Sequence, residues 1–241
     1  VSEDKGYWVF TSEDEIIYLD DAVPVSYDAN GEVEYNMHYG ANLISYPFSS
    51  SQIIVEALGE ATNTTYAVIS EGEAAMNIED VWVGSLTGFE GNRGYWLIAV
   101  EDFGFTFNSN NGSLTRLAQV RKVPEAYSYV QAHKQAFYFI EDAIIDGEAL
   151  DYDDIIIAYN DNVIVGSRYW NGEYTDVPAM GINEYTDSEG YCKNGDQIRF
   201  AVWQASSNSL IEMNAEGKIT WQDLQISVIS LTNEVLPESY S

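Results

Sequence analysis

Hydrophobic positions along the chain fall into short runs broken by polar turns, and only one stretch spaces them as a helix would. Tyr7-Trp8-Val9-Phe10, Ile16-Ile17-Tyr18-Leu19 and Leu43-Ile44-Ser45-Tyr46 read as strands, the last closed by Pro47, which cannot continue a ladder. Ser49-Ser50-Ser51 offers hydroxyls as N-caps, and Ile53, Ile54, Ala57 and Leu58 follow at helical spacing before Gly59, which predicts one short helix over about 51–58. Further strands are expected around 66–69, 81–86, 95–100 and 103–107. After Lys122-Val123-Pro124 come runs at 136–140, 154–159, 162–165, 197–204, 209–213 and 224–231, separated by Asn, Asp and Gly. Tyr159-Asn160-Asp161-Asn162-Val163 is the clearest hairpin signal. The fold class expected is mainly β, in two β-rich domains: the first carries the short helix, and the second is a β-sandwich.

One phrase occurs twice. Gly6-Tyr7-Trp8-Val9 returns as Gly94-Tyr95-Trp96-Leu97, and each copy runs through acidic residues into a further short apolar run. A matched start and a matched end point to a tandem module. On this reading residues 1–39 are the tail of a preceding copy plus spacer strands, 40–122 a complete module, and 123–241 a sandwich ending in a linker.

Composition narrows the partners. Of 241 residues, 46% are hydrophobic, enough for a substantial core. Acidic residues number 39 against 10 basic ones, a formal net charge of −29, so a phosphate backbone is repelled and nucleic acid is excluded. The charge serves solubility of a secreted protein, Ca²⁺ binding or a basic partner. With a single cysteine, Cys192, no disulfide can form within the chain. No apolar run approaches the ~18 residues of a membrane span. Neither a signal peptide nor an anchor is visible, which suggests a processed product.

Gly40-Ala41-Asn42-Leu43-Ile44-Ser45-Tyr46-Pro47, Glu71-Gly72-Glu73-Ala74-Ala75, Trp82-Val83-Gly84-Ser85-Leu86 and Gly94-Tyr95-Trp96 are similar to the tandem module of secreted bacterial surface proteins exported by type IX secretion, with Ala41 where that module carries Trp. Gln135–Phe139, Asp151–Ala158, Asn162–Trp170 and Asp176–Gly181 resemble the β-rich domain near the C-terminus of such proteins. The ending Asn233-Glu-Val-Leu-Pro-Glu-Ser-Tyr-Ser241 looks like the linker before a sorting domain that is removed after export. The resemblance implies a secreted, cell-surface protein and carries no catalytic residues with it.

Candidate chemistry is sparse. Asp146, Glu148, Asp151, Asp153 and Asp154 cluster, with Asn160, Asp161 and Asn162 on the hairpin that follows; such hard oxygens suit Ca²⁺ at about 2.3–2.6 Å. The calcium set singled out is Asp151, Asp153, Asp154 and Asp161, and a second group is Asp176, Asp187 and Glu189. His38, His133 and Cys192 are too scattered for zinc. Neither a Gly-x-Ser-x-Gly elbow nor a His-Glu-x-x-His pair occurs, so an enzyme is not expected. Asn63-Thr64-Thr65 and Asn111-Gly112-Ser113 match the glycosylation sequon. Tyr169 and Trp170, with Trp82, Trp203 and Trp221 behind them, are the aromatic faces on which a glycan would stack, although Trp in a strand more often anchors a core. Tyr7, Trp8, Phe10, Ile16, Ile17 and Tyr18 are expected to contact a neighbouring subunit, because an unpaired apolar strand is a template for addition to another sheet. The function these features favour is a non-catalytic extracellular structural protein forming a homo-oligomer or homopolymer. The alternative is a glycan- or surface-binding adhesin module of a larger secreted protein.

Overall fold

The computed structural model describes residues 33–108, 117–183 and 188–234, together with Tyr7, Val9, Glu13 and Ile16. The chain is mainly β, with one short α-helix among the described residues, and forms two compact units. The first is built from described residues up to Ser70, from Ala75–Trp82 and from Leu86 on to Ala118; the second takes Glu71–Ala74, Val83–Ser85 and the chain from Gln119 onward. Among the described residues no helix is long and apolar enough to cross a membrane.

The first unit contains β1 (Tyr35–Met37), β2 (Gly40–Ser45), β3 (Gln52–Ile53), α1 (Ile54–Leu58), β4 (Thr65–Ile69), most of β5 (Ala74–Ile78), the first half of β6 (Val81–Gly84), β7 (Gly88–Phe89), β8 (Gly94–Ala99) and β9 (Phe103–Phe105). Its main sheet runs β2-β8-β4-β5-β6, with β1-β9 and β3-β7 as small pairs. The helix is shorter than its sequence suggests, because Gln52 and Ile53 pair with Phe89 and Gly88 and hold the chain extended until Ile54. The serines therefore do not cap it: the residue ahead of the helix is Ile53, with no side-chain cap. Ile54, Ala57 and Leu58 turn inward as their spacing predicts, and Gly59, at φ 54°, ends the helix before a 3₁₀ stretch over Gly59–Thr64.

Aromatic packing fills this core. Tyr46, Phe89, Tyr95 and Phe107 meet at centroid distances of 4.8 to 5.4 Å, mostly edge to face. Such pairs contribute about 0.5–1.5 kcal/mol each beyond their buried area. Asn42 has a local task. Its amide oxygen accepts from His38 N and its nitrogen donates to the carbonyls of His38 and Gly40, which fixes the turn before β2. Tyr39 N donates to Asp102 Oδ1 at 2.7 Å, so the acid following the Gly-Tyr-Trp strand closes the same turn.

The second unit contains β10 (Gln135–Ile145), β11 (Glu148–Ala149), β12 (Ile155–Asn160), β13 (Val163–Tyr169), β14 (Thr175–Met180), β15 (Arg199–Gln204), β16 (Ser209–Gly217) and β17 (Ile226–Thr232). They follow one curled path, β11-β10-β17-β16-β15-β12-β13, with β14 also on β10. The long strand β16 turns the corner: its first residues pair with β15 and Asn214–Gly217 with β17. Two layers result, and Tyr138, Ile140, Ile156, Val165, Phe200, Val202, Trp221 and Leu231 meet between them. The hairpin legible at Asn160–Val163 forms, with Asp161 at φ 50° in its turn.

Two glycines mark where backbone approaches backbone. A Cβ on Gly166 of β13 would fall on the carbonyl of Pro178 in β14, whose carbon it would meet at 2.6 Å. A Cβ on Gly181 would lie 2.5 Å from the ring of Trp221, whose indole N–H donates to Ala179 O.

Candidate functional site

The most concentrated polar chemistry in the described chain lies inside the second unit, around Asp176. Its carboxylate is fully buried and ion-paired with Arg168, whose Nη2 lies 3.1 Å from Oδ2. Ala74 N donates to Oδ2, Ser85 N to Oδ1 at 2.8 Å, and Ser85 Oγ to Oδ2 at 2.7 Å. Arg168 spends its remaining contacts nearby, donating from Nε to Asp176 O and from Nη2 to Gly72 O. Gly72 N in turn donates to Gln135 Oε1. Burial pushes the Asp176 carboxyl above the ordinary carboxylate range, while Arg168, Ser85 and the Ala74 amide draw it back. The groups around it are donors, which suits an ionised acceptor.

This geometry explains residue choices that the sequence presents only as motifs. Gly72 and Ala74 come from Glu71-Gly72-Glu73-Ala74, Ser85 from Trp82-Val83-Gly84-Ser85, Arg168 from the run ending in Tyr169-Trp170, and Asp176 begins Asp176-Val-Pro-Ala-Met-Gly181. Far apart in sequence, they close one polar clasp. Gly84 is needed beside it: at φ 109°, any Cβ would strike Ala74 O and Phe139. Each carboxylate oxygen is occupied by protein donors, so the clasp holds these chain segments together.

The proposed calcium set is dispersed among other tasks. Asp154 is buried and accepts from Asp151 N and Ala205 N, pinning its turn. Asp153 pairs with Arg121 at 2.9 Å, and the Asp161 carbonyl accepts from Arg199. Among the described residues no three His, Cys, Asp or Glu side chains are grouped to hold a metal ion. Of the second acidic group, Asp176 is the clasp, Glu189 is exposed and Asp187 lies outside the described residues.

The expected stacking faces are also engaged. Trp170 is 7% exposed and belongs to the core between the layers. The Arg121 guanidinium covers the Tyr169 ring, 3.6 Å from its centroid. Trp221 is buried, and Trp203 lies partly open beside Tyr127. Of the residues expected at a subunit contact, Tyr7 is 50% and Ile16 72% exposed, whereas Trp8, Phe10, Ile17 and Tyr18 lie outside the described residues.

Cys192 is buried, and that burial pushes its thiol up to about 12. Only the thiolate reacts with alkylating agents. We therefore expect iodoacetamide at pH 8 to leave the folded protein unmodified and to label it in denaturant, with mass spectrometry as the readout. Rapid labelling without denaturant would contradict this burial.

Sequence reasoning did not single out Arg168, Ser85 or Gly72 as interacting residues; their only signal is a small or charged residue inside an otherwise apolar motif. Comparisons with protein-family models, with curated proteins and with solved structures find no match to the chain.

Proposed function

We propose that this chain is a non-catalytic structural protein of the cell exterior, which assembles into a filament or layer through β-strand contacts made by its N-terminal segment. The observation that carries this is a contrast between two copies of one phrase. In the complete copy Tyr95 is 1% exposed and Leu97 0%, in the middle of a sheet. Their counterparts Tyr7 and Val9 are 50% and 60% exposed. Full burial of such side chains is worth about 1.5–3 kcal/mol each, so covering this segment is favourable. The engagement of Asp176, Asp153 and Asp154 by protein donors fits a scaffold. The likeness of the ending to a type IX linker supports export to the cell surface.

Removal of residues 1–20 tests this directly. We expect the full chain to form polymers visible by electron microscopy and the shortened chain to remain monomeric, with its β circular dichroism retained. Normal polymers from the shortened chain would refute the contact; a full chain that stays monomeric under all salt conditions would refute the assembly itself.

A further inference from the structure

Asn171-Gly172 and Asn194-Gly195 lie among the described residues, whereas Asn30-Gly31 and Asn111-Gly112 do not. We propose that the fold separates the first two chemically: Asn171 deamidates spontaneously in the folded chain, and Asn194 is held intact. The reaction needs the backbone nitrogen of the following residue to reach the side-chain amide carbon, and glycine has no Cβ to obstruct it. That nitrogen loses its proton to solvent and bonds to Asn Cγ, the bond from Cγ to Nδ2 breaks, and ammonia leaves. Water then opens the cyclic imide at either carbonyl, which yields an aspartyl or an isoaspartyl residue.

Both reacting groups are open at Asn171. The residue is exposed and, among the described residues, neither its side-chain amide nor Gly172 N makes a hydrogen bond. A Cβ on Gly172 would meet nothing within 4 Å, so the approach is uncrowded. Asn194 is exposed as well, so exposure does not distinguish the two. Its reacting groups are engaged instead. Gly195 N donates to Trp221 O at 3.0 Å, and Asn194 Oδ1 accepts from Asp223 N at 3.3 Å. Asp196 closes the turn around them, its N donating to Lys193 O and its Oδ2 accepting from Lys193 N.

The place of Asn171 gives the change a structural effect. Its turn joins β13 to β14 between Trp170 and Thr175, both buried. Thr175 N and Oγ1 donate to Gly172 O, and Asn171 N donates to Thr175 Oγ1. Arg168 and Asp176 of the clasp lie just outside this turn. An isoaspartyl link lengthens the backbone by a methylene within a turn pinned at both ends, and so disturbs the strands that carry the clasp.

The test incubates the full chain in mildly alkaline buffer, folded and in denaturant side by side, and maps both by peptide mass spectrometry. We expect Asn171 to convert in both samples, to aspartyl and isoaspartyl products, and Asn194 only in denaturant. The aged folded chain should unfold at lower urea than fresh chain. An Asn171→Gln chain aged in parallel should keep its midpoint, because its longer side chain closes the ring slowly. An Asn171 that stays intact in the folded chain, or an Asn194 that keeps pace with it there, would overturn the assignment. Aged chain carrying isoaspartate at 171 yet unfolding like fresh chain, or an equal loss in the Asn171→Gln chain, would overturn its effect on the clasp.

Discussion

Asp176→Ala is expected to destabilise the second unit by about 3–5 kcal/mol, the loss typical of removing one partner from a buried ion pair. The reason is what remains. Arg168, 6% exposed, would keep its charge without a counterion, and the amides of Ala74 and Ser85 would lose their acceptor. Urea unfolding followed by tryptophan fluorescence gives the magnitude. Hydrogen exchange gives the location, because protection should fall first at the Ala74 and Ser85 amides. The double change Arg168→Met with Asp176→Leu should cost less than the sum of the single changes, since it removes both charges together. A loss below about 1 kcal/mol for Asp176→Ala would mean that the clasp is ornamental to stability.

Gly166→Ala is the second large effect. The new methyl would coincide with the Pro178 carbonyl, and backbone cannot swing aside as a side-chain end can. The expected loss is therefore at or above the upper end of the ~1–3 kcal/mol seen for ordinary overpacking. Gly172→Ala supplies the comparison: its Cβ would meet nothing within 4 Å, but φ of 94° still penalises a side chain. That change should cost only about 1–2 kcal/mol. Thermal or urea melts of the two variants measured side by side separate crowding from conformational strain, and equal losses would contradict the close approach of β13 and β14.

Much of the strand content was legible because its cause is local. Runs rich in β-branched apolar residues mark 155–160 and 226–232, and Asn160-Asp161-Asn162 marks its own turn. β14 carries no strand pattern in the sequence because Asp176 and Pro178 interrupt it. The first is buried in the clasp, and the second is tolerated on a strand with one ladder partner, β10. β5 was hidden by Ala74-Ala75-Met76-Asn77, a sequence of weak strand propensity. The serines before α1 point to a cap that does not form, for a different reason: the long-range pairing of Gln52 with Phe89 within the chain overrides it. The clasp itself joins residues about a hundred positions apart, and no local signal reports such a meeting.

The parallel pairing of β10 with β17 gives the second unit a mechanical character. The chain enters its sheet through β10 and leaves through β17, and the two run alongside each other from Phe137 and Ile226 to Ile144 and Thr232. Tension along the chain, applied before Gln135 and after Thr232, pulls these neighbours past one another lengthwise. Every rung is then strained at once instead of being peeled open singly, so the unit resists a lengthwise pull better than one opened from an end.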